Sequence, residues 1–187
     1  MKYDRQDVIE KATHLFWEKG FHATSMRNLQ DVLDMRPGSI YAGFGSKEGL
    51  FIACLQDYSQ KNMAGVYAMA KAAPSPLEAV KTILRSNKGS ASAPSGVCMI
   101  VKTIIELTEK HAEILDEAKR LMNVFFDALT DLLKQAKDQG ELKASKDPKR
   151  IARFLQVYLM GMGSYAQANG GCSTSEELIE DALACLD

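Results

Sequence analysis

The stretch FHATSMRNLQDVLDMRPGSIYAGFGSKEGLF, residues 21–51, decides the fold. It reads as two short helices around a tight turn, with a third helix opening at Ser46. Thr24 precedes an amphipathic run holding Met26, Leu29, Val32 and Leu33, which makes it an N-cap signal, since a hydroxyl can accept from the orphan amides of a first helical turn. Ser25 beside it is read as a cap as well. Asp34 and Met35 break this helix, and Pro37, in a first-turn position, starts the next one without losing a needed N–H. Arg36 to Tyr41 is then a short helix carrying Arg, Ser and Tyr. Two helices joined by so short a turn have the geometry that fits a major groove.

The same residues carry a resemblance. The run Gly-aromatic-x-x-Thr-Ser-Met from Gly20, followed by Gly-Ser-Ile-Tyr-x-x-Phe-x-Ser-Lys-Glu-x-Leu from Gly38, resembles the N-terminal signature of TetR-type transcriptional regulators. It covers roughly the first third of the chain; the remainder is similar in layout and in a few residues. The chain departs from the pattern at Pro37, where relatives often carry a basic residue, and at Gly43, where they carry His or another aromatic. The resemblance implies an all-α protein. An N-terminal three-helix DNA-binding domain with a helix-turn-helix (1–47) would precede a helical ligand-binding and dimerisation domain (48–187), with about nine helices in all.

Composition agrees. A chain of 187 residues can bury one good core, or a small module plus a larger ligand domain. Its net charge of −1 rules out non-specific electrostatic attraction to nucleic acid by the chain as a whole. Residues 1–47 hold seven Lys and Arg against six Asp and Glu, a net of plus one. DNA affinity must therefore come from placement, with Arg5, Arg27, Arg36 and Lys47 gathered on one side, and should be modest and strongly salt-dependent. No stretch approaches the roughly 20 apolar residues of a membrane span, and the N-terminus is too polar for a signal peptide, so a cytoplasmic protein is expected. Cys54, Cys98, Cys172 and Cys185 show neither CxxC spacing nor neighbouring His pairs. Reduced thiols are expected, and no metal or cofactor.

Outside the opening stretch, Val8, Ile9, Ala12, Leu15 and Phe16 repeat at helical spacing up to Gly20. Ser46 caps a long helix from Lys47 to about Ala72; Pro74 and Pro76 break it, and a shorter helix runs from Pro76 to about Ser86. A loop rich in Gly, Ser and Pro covers Asn87 to Ser95. From Gly96 the segment GVCMIVKTIIELTEK suits a strand or a buried helix by periodicity alone. The resemblance favours helix, because many relatives carry Cys-Leu-x-Val-Asn-x-x-x-Glu-Leu where this chain has Cys98 to Leu107, with Lys102 in place of the common Asn. His111 to Gln139 is the longest helix, with a wide apolar face from Ile114 to Leu133. Helices from Pro148 to about Asn169 and from Glu176 to Leu186 end the chain. In similar regulators the last two helices meet their copies in a four-helix dimer interface, and Gly161 and Gly163 permit close approach. A homodimer reading a near-palindrome follows.

The candidate DNA contacts are Thr24, Ser25, Arg27, Arg36, Ser39, Tyr41 and Lys47. Arg36 and Ser39 are the readers of base edges or backbone. Tyr41 is assigned to phosphate, the alternative being closure of the small core with Phe44, itself assigned to core. Arg27 is assigned to phosphate ahead of an i, i+4 pair with Asp31. Thr24 and Ser25 serve as caps, at a helix N-terminus that also attracts phosphate. Lys47 lies in a first turn, where a cation opposes the helix dipole, and a phosphate would remove that conflict.

For a small, largely apolar effector, Tyr67, Cys98, Met122, Phe125, Phe126, Tyr158, Met162 and Tyr165 supply adaptable walls. Such stripes also build plain cores. Cys98 admits a second reading, a thiol sensor of electrophiles or oxidants, if Lys102 one turn on favours its thiolate; a small buried hydrophobe is the plainer one. A catalytic function is not expected, because His14, His22 and His111 belong to no nucleophile–base motif. A dimeric ligand carrier without DNA binding is the remaining alternative, against which the intact Thr24 to Lys47 signature argues.

Overall fold

The computed structural model describes residues 3–86, 97–169 and 175–186, and among them every regular element is helical. The α-helices are α1 (Arg5–Lys19), α2 (Met26–Leu33), α3 (Pro37–Phe44), α4 (Lys47–Ala72), α5 (Pro76–Ser86), α6 (Met99–Glu106), α7 (Ala112–Asp138), α8 (Pro148–Ala168) and α9 (Ser175–Leu183). Short 3-10 turns cover Glu109–His111 and Ala184–Leu186. The apolar segment after Gly96 is thus a helix, α6. The Asn87 to Ser95 loop and Cys172 lie outside the described residues. Among the described residues no helix is long and apolar enough to cross a membrane.

The chain divides into two compact units, Met1–Lys61 with Met99–Leu121, and Asn62–Cys98 with Met122–Asp187. In the first, α1 opens with Asp4, whose carboxylate accepts from the Gln6 N–H (2.8 Å), and buries Val8, Ile9, Ala12, Leu15 and Phe16. Gly20, at φ +88°, closes it by donating its N–H to the Phe16 carbonyl (2.8 Å). Phe16 and Phe51 meet edge to face with centroids 4.7 Å apart, and Phe21 lies 5.1 Å from Phe51. Leu29, Ile40, Leu50 and Leu55 are fully buried. At about 1.5–3 kcal/mol for each large apolar side chain withdrawn from water, this core is ample to hold three short helices together.

The second unit gathers Val80, Ile83 and Leu84 of α5, Leu129, Leu133 and Ala136 of α7, Ile151, Leu155 and Met162 of α8, and Ile179 and Leu183 of α9 around one apolar cluster. Polar ties fix its ends. Asp147 caps α8 through the Lys149 and Arg150 amides, with Pro148 in the first turn. Glu141 accepts from the Leu77 N–H at the start of α5 (2.9 Å). On α9, Glu180 takes both Nε and an Nη of Arg85 (2.8 and 3.0 Å), and the Leu178 carbonyl accepts from the Tyr158 hydroxyl.

Candidate nucleic-acid interface

The α2–α3 pair is built from the turn that precedes it. Ser25, not Thr24, is the N-cap of α2: its hydroxyl accepts from the Asn28 N–H (3.1 Å), and the Asn28 side chain accepts in return from the Ser25 N–H (3.0 Å). Thr24 is fully buried and donates its hydroxyl to the Gly20 carbonyl (2.7 Å), so it closes the turn one residue earlier. Two adjacent hydroxyls satisfy the same sequence signal, and burial separates their tasks.

Helix α2 ends at Asp34 in the left-handed region (φ 50°), a conformation that Asp tolerates through local hydrogen bonding. Pro37 then opens α3, with Arg36 as its N-cap residue. Helix α3 therefore runs Pro37–Phe44, ending three residues beyond Tyr41. Leu29, Leu33 and Ile40 anchor the pair inward, while Arg27, Arg36, Ser39 and Tyr41 are exposed. Tyr41 is 46% exposed, so it does not close the core. Among the described residues neither Arg27 nor Arg36 forms an ion pair, and Arg27 is not joined to Asp31.

The other two cations are engaged. Arg5 donates to the Gly43 carbonyl at the end of α3 (2.8 Å) and lies 4.2 Å over the Phe44 ring, complementing the negative end of that helix. Its neighbour Tyr3 puts its hydroxyl where a side chain on Gly43 would begin. Lys47 donates to the Phe21 carbonyl (2.6 Å) and sits 4.2 Å over the Phe21 ring; burial pushes its ammonium below the ordinary lysine range, which Glu48 and Glu106 oppose. An ammonium has three donors, so two remain for a phosphate. Ser46 caps α4 through the Gly49 N–H (3.0 Å).

Two functional candidates emerge only in three dimensions, both on α6. Glu106 accepts from the Phe21 and His22 amides (3.1 and 2.7 Å), and Lys102 donates to the Trp17 and Glu18 carbonyls (2.9 and 2.8 Å). The Lys102 ammonium thus sits on the carbonyls at the end of α1. His111 is half-buried, with its ring 4.9 Å from Phe21 and 5.2 Å from His22.

In the second unit, Phe125, Phe126 and Tyr158 pack against the cluster that includes buried Met162. Cys98 and Met122 are half-buried, whereas Tyr67 and Tyr165 are 59% and 49% exposed. Part of the expected apolar wall is thus gathered in one place, and the two exposed tyrosines stand outside it. Among the described residues no three His, Cys, Asp or Glu side chains come together as metal ligands.

Residues 8–54, which span this helix pair, match the bacterial regulatory proteins of the tetR family, and residues 76–180 match the tetracyclin repressor-like C-terminal domain. The chain belongs to the TetR family. Its α2–α3 pair is accordingly the helix-turn-helix of a TetR family transcriptional regulator. Among curated relatives, an uncharacterised HTH-type transcriptional regulator of Bacillus subtilis, YezE, is 26% identical over all of this chain and 97% of its own. The HTH-type transcriptional repressor ComR of Escherichia coli is 28% identical over 88% of this chain and 80% of its own. Among solved structures, a cysteine mutant of the TetR family regulator CifR, complexed with 26-base-pair operator DNA, superposes with a TM-score of 0.90 at 25% identity, over 100% of this chain and 98% of that one.

Proposed function

We propose that this TetR family protein is a cytoplasmic repressor that binds a palindromic operator as a homodimer and is released by a small, largely apolar effector. The observation that carries the reading is the outward row of Arg36, Ser39 and Tyr41, set on a helix pair whose other side (Leu29, Leu33, Ile40) is sealed in the core. A rigid base with exposed hydrogen-bonding groups is what base and phosphate contacts require. Arg36 and Ser39 read base edges or backbone. Tyr41, Arg27, the remaining donors of Lys47 and the helix start at Thr24 and Ser25 hold phosphates. The repressor name of ComR and the operator-bound state of CifR support the same reading.

Residues 1–47 do the reading, and 48–187 carry effector binding and dimerisation. The effector meets Phe125, Phe126, Tyr158 and Met162, with Tyr67, Cys98, Met122 and Tyr165 around them. It acts by binding better to the state whose recognition helices do not match successive major grooves, and releases DNA by no more than that difference in affinity. Selection of bound duplex from a random pool, with the protein's mass measured in parallel, tests the reading: a dimer should enrich a palindrome. Arg36→Ala should then weaken binding and change the preferred bases, whereas Tyr41→Ala and Lys47→Ala should weaken all sequences alike and flatten the salt slope. A folded dimer that enriches nothing favours the ligand carrier.

A thiol-sensing reading also has a specific support. Cys98 is only half-buried, which leaves it partly accessible to small reagents, and it immediately precedes the first residue of α6. If oxidants release the operator, Cys98→Ser should abolish that release and leave binding under reducing conditions intact.

A further inference from the structure

Four polar side chains hold the turn between α1 and α2 from three directions, and two of these side chains belong to α6. Within the turn, Thr24 ties back to the Gly20 carbonyl. From α4, Lys47 takes the Phe21 carbonyl. From α6, Lys102 takes two carbonyls at the C-terminal end of α1, and Glu106, one turn on, takes the two amides that follow Gly20. The signs match the backbone: a cation on the exposed carbonyls of a helix end, a carboxylate on adjacent N–H groups that point the same way.

Two features indicate that this grip is built. Glu106 is the last residue of α6, where its charge opposes that helix's own dipole, and the two amides supply the compensation. Gly20, at φ +88°, has no side chain in the way: a Cβ there would stand 2.5 Å from a Glu106 oxygen. The backbone therefore needs glycine at this point both for its conformation and for the carboxylate's approach.

We propose that Lys102 and Glu106 are positioning residues for operator binding: from α6 they fix the end of α1 and the turn into the Ser25 cap, and so set the attitude of the α2–α3 pair. Neither contacts DNA. The proposal rests on the regulator reading above. It separates two ways of losing affinity, because removing a phosphate contact lowers the salt dependence of binding, whereas misplacing an intact reading surface does not.

The test uses the full chain and the duplex that it enriches from a random pool. Glu106→Gln keeps the side chain's shape but turns a donor toward one of two donor amides; Lys102→Met keeps the stem and removes the charge. Each should weaken operator binding about tenfold, as expected when hydrogen bonds to a charged group are lost, with the slope of log affinity against log salt unchanged. Arg27→Ala, a phosphate-contact variant, should lower that slope by about one. In Glu106→Gln the Phe21 and His22 amides should also exchange hydrogen faster. Affinities are referred to the folded fraction from circular dichroism, and Lys102→Met, altered at a half-exposed side chain, carries the test if Glu106→Gln folds poorly. Wild-type affinity in both variants overturns the proposal while leaving the regulator reading standing, and so does a loss accompanied by a reduced slope. A wild-type protein that enriches no duplex overturns both.

Discussion

The carbonyl oxygen of Phe44, at the end of α3, occupies the space in which a side chain on Gly49, in the first turn of α4, would begin. The recognition helix is thereby seated directly on the helix that follows it, and only hydrogen at position 49 permits the distance. Helix propensity alone favours Gly49→Ala by about 1 kcal/mol. The overlap with a backbone atom should reverse that sign, for a net loss of about 1–2 kcal/mol in urea unfolding. A variant as stable as wild type, or more so, would show that α3 can shift at little cost.

Helix positions were legible because their signals are local. The Pro37 and Pro148 starts, the Gly20 end and the apolar rows of α1, α7 and α8 all depend on neighbours within one or two turns. Thr24 and Ser25 carry the same hydroxyl, so the sequence marks both as caps of α2, and only burial tells that Thr24 faces the Gly20 carbonyl and Ser25 the Asn28 amide. Lys102 and Glu106 could not be paired from sequence. Their partners are backbone groups 84 or 85 residues away, which carry no residue-type signature. The Tyr3 ring beside Gly43 escaped for a related reason: an empty position is filled from another segment.

Cys54 should be chemically silent in the folded protein. It is fully buried in the first unit, with its thiol on the Ile9 carbonyl (3.6 Å), and burial pushes it up to about 12. At pH 8 it should resist iodoacetamide while the chain is native and react once denaturant unfolds it, as mass mapping of the modified cysteines would show. Modification of native protein at the rate of a free thiol would mean that this core opens readily.

Glu117 should make acid stability measurable at one site. Hydrogen bonds from Arg120 (2.7 Å) and Gln56 (2.9 Å) hold its carboxyl below the ordinary 4.5 despite partial burial. A carboxyl whose folded value is depressed binds protons more readily unfolded, so its contribution is present above about pH 4.5 and is lost as pH falls toward the folded value. Glu117→Gln should cost about 0.5–1 kcal/mol at pH 7. The gap to wild type should narrow on acidification to pH 3.5, and a gap constant with pH would exclude this linkage.

On α8, Phe154, Val157 and Tyr165 are 47%, 63% and 49% exposed, and 154, 157, 161 and 165 recur at helical spacing, with Gly161 between them. Water contact along so apolar a row is unfavourable by roughly 25 cal/mol per Å², which pairing with the same face of a second copy would remove. A charge at its centre would have to be buried unpaired across a twofold interface. Val157→Asp should therefore leave the proposed dimer a folded monomer by light scattering, and Val157→Ala should not. Because two linked reading modules bind their half-sites with an effective concentration that a monomer lacks, operator affinity should fall at least about tenfold in parallel. A Val157→Asp protein that remains dimeric would place the interface on another surface.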